Sequence, residues 1–176
     1  MPEPSAPSDR ELLSKRYNRR RLFGLRSPRP SIALAAAMFD SQCVGNGRYA
    51  NNCAHYLSNA FVLAGYTELL TDRQHILAWC GPSECNPPHR QGRPIRARNM
   101  RDWFKFKAGT RTRFFPKNSH EEFQRTMRNT GFWAVFELDE SVYWGGHVCI
   151  IDTETWKVYG TGMHAFWDWE QHCHQW

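Results

Sequence analysis

Two short stretches of this chain hold side chains whose chemistries would complement each other. In the first, Asn51 and Asn52 precede a run in which Cys53, Leu57, Ala60, Phe61 and Ala64 recur at steps of three and four. That period marks a helix, the asparagines suit its cap, and Gly65 suits its left-handed stop. A cysteine in the first turn meets unpaired N–H groups and the positive end of the helix dipole, which favour thiolate over thiol. In the second stretch, Gly145 and Gly146 lead into His147-Val148-Cys149-Ile150-Ile151-Asp152, a histidine opening a β-branched strand run. A helix-borne thiol and a strand-borne imidazole make a nucleophile and its base. Each also has a plainer role, since cysteine is among the most buried residue types and a histidine at a strand edge is commonly structural.

The remaining elements must bring these two together. Residues 31–39, rich in alanine, predict a short first helix. Their approach through Arg19-Arg20-Arg21-Leu22-Phe23 faintly resembles an export signal, but Pro28 and Pro30 interrupt it. Ser41 to Tyr49 reads as a loop into the Cys53 helix. The Cys53 N–H, with Asn51 or Asn52 as side-chain alternatives, is the candidate oxyanion donor; plain capping is the competing role of the asparagines. Residues 67–79 read as strand or irregular structure, and Cys80 to Arg93 as a Pro- and Gly-rich loop. Residues 95–104 form a helix whose arginines face solvent by default or could meet substrate carboxylates. Residues 119–128 form another, with Ser119 and Glu122 spaced as a capping box. After Gly131 the pattern turns to strands at 132–138, 146–152 and 156–161, with Asp152 to Thr155 as a hairpin turn. Residues 164–176 make a last strand or a cover. Helices first and an antiparallel sheet afterwards predict an α+β domain with the Cys53 helix packed on the sheet.

At 176 residues, 31–176 can form one domain with a real core, and 1–30 reads as a basic, flexible tail. That tail carries eight basic groups against three acidic ones and so accounts for all but one of the net +6. The body is nearly neutral, which argues against a nucleic-acid surface. No apolar run is long enough to span a bilayer, so no membrane association is expected. Eight Trp, eleven Phe and six Tyr suit a compact core or a carbohydrate-facing groove. Of the six cysteines, Cys80 and Cys85 could close a small loop as a disulfide, implying an oxidising compartment. Zinc held by Cys80, Cys85 and His89 with Cys173, His172 or His174 is the weaker alternative, because paired Cys-x-x-Cys spacing is missing. If Cys53 is free, Cys43, Cys80, Cys85, Cys149 and Cys173 leave one further thiol unpaired.

Several of these stretches together resemble a known family. Asn52-Cys53-Ala54 and the helix to Gly65-Tyr66, the Ile95-Arg96-Ala97 helix with Met100 and Trp103, Gly131-Phe132 and Gly146-His147-Val148 are similar to the type VI secretion amidase effectors. These are papain-like cell-wall hydrolases related to the NlpC-type peptidases, and the likeness is greatest to the fourth amidase effector family, over roughly residues 38–155. The resemblance implies a papain-like fold in which a nucleophile helix packs on a C-terminal antiparallel sheet. It implies a secreted amidase, acting in a rival cell's periplasm on the peptidoglycan stem peptide, typically between D-glutamate and diaminopimelate. A cognate immunity protein and a secretion-apparatus component are the implied partners, and no cofactor or metal is required. Cys53 carries over as nucleophile and His147 as general base. The third, orienting residue does not carry over cleanly. A tight hairpin would set position 160 opposite His147, and a slip would bring Tyr159 or Thr161 there. Met163-His164-Ala165 resembles the NlpC-type third-residue motif, so His164 is the favoured candidate. Asp152 lies too far along its own strand, roughly 15 Å or more away. Two other classes remain: a different Cys–His enzyme on the same scaffold, such as a deamidase or acyltransferase, and a zinc-stabilised nucleic-acid-binding protein using the basic tail.

Overall fold

The strand Phe132–Leu138 sends alternate side chains to two separate apolar clusters, and the rest of the fold is layered around that division. The computed structural model describes residues 29–39, 44–45, 53–81, 85–86, 92–107, 110–141, 146–161 and 168–176, with the backbone alone at 44–45 and 85–86. Residues 1–28 of the expected basic tail lie outside the described residues.

Seven strands are described: β1 (Val44–Gly45), β2 (Cys85–Asn86), β3 (Arg111–Phe115), β4 (Phe132–Leu138), β5 (Gly146–Asp152), β6 (Lys157–Tyr159) and β7 (Glu170–Gln175). The first two pair with each other. The other five make one antiparallel sheet in the order β3-β7-β4-β5-β6. Among the described residues four α-helices accompany them: α1 (Ile32–Met38), α2 (Cys53–Leu63), α3 (Ala97–Phe106) and α4 (His120–Met127). Ala134, Phe136, Val148 and Ile150 face α1, α2 and α3. Trp133, Val135, Cys149, Ile151 and Cys173 face Phe123 and Met127 of α4. The architecture is α+β, as the order of helical and strand patterns predicts. The aromatics serve the core: Phe61, Tyr66, Trp103, Phe104, Phe136 and Trp176 form a chain of edge and tilted contacts.

Local chemistry explains most element ends. The Ser31 hydroxyl accepts the Leu34 N–H at 3.1 Å and starts α1. Gly65 takes φ +106°, and Tyr66 N–H returns to the Phe61 carbonyl at 3.0 Å, closing α2 as its sequence predicts. At α4 the expected capping box is not formed, because Ser119 sits at ψ 29° and its side chain makes no cap bond. Residues 67–70 are a 3-10 turn rather than strand. Strand β3 escapes prediction because Arg111 to Phe114 are all exposed and show no alternation. Strand β7, foreseen only as a last strand or a cover, lies between β3 and β4.

The β5–β6 hairpin also differs from its prediction. Four residues, 153–156, make the turn, ending with Trp156 in the left-handed region at φ 58°. The longer turn pairs Tyr159 with Ile150 and Val158 with Ile151, two residues off the register expected from a tight turn.

Candidate active site

Cys53 is the first residue of α2, buried among Ala35, Val148 and Ile150. Its Sγ lies 3.9 Å from the Gly146 carbonyl oxygen and also takes the Val148 N–H. Those two peptide groups stand on either side of His147, so the thiol is seated against the strand at the histidine. The Cys53 and Ala54 N–H groups at the helix start also favour thiolate, as the capped-helix argument requires. Burial opposes them and is the larger effect. The thiol is pushed up to about 11, which reverses the sequence expectation of a lowered value.

His147 is 3% exposed and stands directly opposite Glu137 of β4 in the β4–β5 register. Directly opposed residues of an antiparallel pair share a face, so the His147 side chain lies with Glu137 and Cys149. Cys53, by contrast, belongs to the cluster of Val148 and Ile150 on the other face. The described contacts join Cys53 to the backbone flanking His147.

Glu137 is a buried acid beside His147 that sequence reasoning did not single out. It is fully buried, and across β4 from His147 it meets Gln171 of β7, also buried. Histidine, carboxylate and amide thus form one row over three adjacent strands. Neither Glu137 oxygen, nor the Gln171 amide, has a hydrogen-bond partner among the described residues. Burial, reinforced by the nearby Asp168 charge, raises the Glu137 carboxyl to about 7. The signal was present as a single acid in the otherwise apolar run Phe132–Leu138.

The other expected residues fare differently. His164, Asn51 and Asn52 lie outside the described residues. Tyr159 faces Ile150 rather than His147, and Gly160 lies against Cys149, so neither position is opposite the histidine. Continued at the same register, β6 would set position 162 there, outside the described residues. Asp152 ends β5 and accepts the Glu154 N–H and the Thr155 hydroxyl, serving the turn.

Cys80 is buried and its sulfur accepts the Arg93 N–H at 3.1 Å; the side chain of Cys85, its expected disulfide partner, lies outside the described residues. Of the zinc alternative, His89 and the Cys85 side chain lie outside the described residues, while Cys173 faces α4 and His174 packs on Phe104 and Phe136. No group of three potential metal ligands occurs among the described residues. In α3, Arg98 pairs with Glu140, and Arg101 with Asp102 at 2.7 Å. No described helix is long and apolar enough to cross a membrane. No family model matches the chain, and no curated protein matches it.

Proposed function

We propose that this chain is a cysteine amidase of papain-like, NlpC-type design that cuts the stem peptide of peptidoglycan. The observation that carries the reading is the seat of Cys53: a thiol at a helix start, lodged against the peptide groups on either side of His147. Because burial holds the sulfur protonated at neutral pH, nucleophile and base act in one step rather than as a preformed ion pair. For the reaction the His147 ring must turn from the Glu137 face toward the Cys53 side of β5, where it takes the Cys53 proton as sulfur attacks the carbonyl carbon of the scissile amide. The resulting oxyanion rests against the Cys53 N–H at the start of α2. Collapse expels the amine, which leaves with the proton from His147, and water then releases the acyl group from sulfur. In this reading the enzyme is a secreted toxin acting in a rival cell's periplasm, and its producer holds an immunity protein that covers the site.

Purified cell-wall sacculi provide the test. The wild-type chain should release new amino groups, and Cys53→Ala should reduce that release to background. Equal release by the two proteins removes the mechanism. Release of ammonia or transfer of an acyl group, with no new amino groups, would favour the deamidase or acyltransferase reading instead.

A further inference from the structure

The five-stranded sheet ends on two unequal edges. Strand β6 is three residues long, whereas β3 pairs with β7 over all five of its residues, from Arg111↔Gln175 to Phe115↔Gln171. Among the described residues no strand lies on the other side of β3. An edge of this kind holds out a row of unpaired N–H and C=O groups already in ladder geometry. Strand alternation sorts its side chains: Arg111 and Arg113 share the face of Phe115 and Cys173, while Thr112 and Phe114 share that of His172 and His174. Phe114 meets the His172 ring at 5.0 Å yet stays 55% exposed, and Arg111, Thr112 and Arg113 are exposed as well. Among the described residues neither Arg111 nor Arg113 has an acidic partner, whereas Arg98, Arg101, Lys107 and Lys117 each have one.

We infer that β3 is a docking edge for an extended acidic segment of another protein, which adds to the sheet as a further strand. Main-chain bonds to the open ladder supply the attachment, and the alternation of β3 dictates the sequence it takes. Acids two residues apart stand opposite Arg111 and Arg113, and apolar residues between them lie against Thr112 and Phe114. The same arginines turn away a second copy of this chain. Antiparallel pairing of β3 with itself about Thr112 sets Arg111 opposite Arg113 on both sides of the axis, and like charges directly opposed are unfavourable. A nucleic acid finds cations here but has no use for the ladder, and the chain beyond the basic tail carries a net charge of only +1. Strands β7 and β4 separate β3 from β5, about 14 Å at the usual strand spacing, so a segment seated on β3 leaves Cys53 uncovered. The inference therefore stands apart from the amidase reading.

A model peptide, acetyl-Thr-Glu-Val-Glu-Val-Thr-amide, tests the docking edge by amide NMR titration of the full chain. Saturable shifts should centre on Arg111–Phe115, and alternate amides of that strand should gain protection from hydrogen exchange. Arg111→Glu combined with Arg113→Glu, both at exposed positions, should weaken binding roughly 10-fold and transfer the preference to a peptide with Lys in place of each Glu. The acidic peptide N-methylated at its central residues keeps its charge but loses its ladder donors, and it should not bind. Equal binding of the N-methylated peptide would reduce the contact to charge alone and overturn the added strand. Shifts centred away from β3, or no saturable shift with millimolar peptide, overturn the docking edge altogether. A free chain that sediments as a dimer joined through β3 would assign the edge to a second copy, and tighter binding of a single-stranded oligonucleotide there would assign it to nucleic acid; either overturns the proposal. Amino-group release from sacculi should be unchanged by the bound peptide. Its absence in the wild-type chain would count against the amidase reading and leave the titration result standing.

Discussion

At the scale of single residues, burial decides the chemistry of the site more than helix position does. The N–H groups at the start of α2 act on Cys53 in the expected direction, yet desolvation carries the thiol to about 11. A cysteine of that kind reacts through its small thiolate fraction, which grows tenfold per pH unit below the pKa. Iodoacetamide alkylation of Cys53, followed by peptide mass analysis, should accordingly be slow at pH 7 and steepen through pH 8 to 10. A rate flat from pH 6 to 8 would instead reveal a preformed thiolate–imidazolium pair. Neither this burial nor that of Glu137 could be inferred from local sequence. Glu137 stood out only as an acid among Phe132, Trp133, Ala134, Val135, Phe136 and Leu138, and its facing residue depends on a pairing register that propensity does not supply.

At the scale of elements, cap chemistry separates two helices whose starts look alike in sequence. Ser31 bonds the Leu34 N–H, whereas Ser119 makes no side-chain cap bond. Ser31→Ala should cost about 1 kcal/mol of stability in chemical denaturation, and Ser119→Ala less than about 0.5. Equal costs would mean that Ser119 does cap α4 in solution. The strongly patterned elements were legible: α2 with its Gly65 stop, and the paired strands β4 and β5. Strand β3 was not, because its exposed Arg111-Thr112-Arg113-Phe114 carries no burial rhythm. The β5–β6 turn was read one size too small, since Trp156 at φ 58° is a conformation that its residue type does not advertise. For the same reason the sequence set the β6 partner of His147 two residues too early.

At the scale of the whole molecule, two buried groups set opposing responses to pH. Glu137 rises from its ordinary 4.5 to about 7, so its folded state holds a proton more tightly than the unfolded chain. Its contribution is complete below 4.5 and is lost as pH climbs through 7. Burial among Phe104 and Phe136, together with the charges of His172, Arg101 and Lys105, lowers His174 to about 4 from 6.5. Its contribution is complete above 6.5 and is lost as pH falls through 4. Each displacement corresponds to on the order of 3 kcal/mol, and the two signs oppose across the shared window. The wild-type stability should therefore change little between pH 5 and 6.5. Glu137→Gln should uncover a loss toward acid, and His174→Phe a loss toward neutrality, both measured by urea denaturation at fixed pH. Parallel curves for all three proteins would refute the opposition.

Strand β7 lies inside the sheet, between β3 and β4, although its residues follow those of both neighbours in the chain. During synthesis, β3 and β4 emerge with bare backbone edges that nothing yet made can satisfy. The nascent polypeptide is thus obliged to wait, sticky and half-assembled, for its keystone to leave the ribosome, and it should be a client of the cell's holding chaperones throughout that interval.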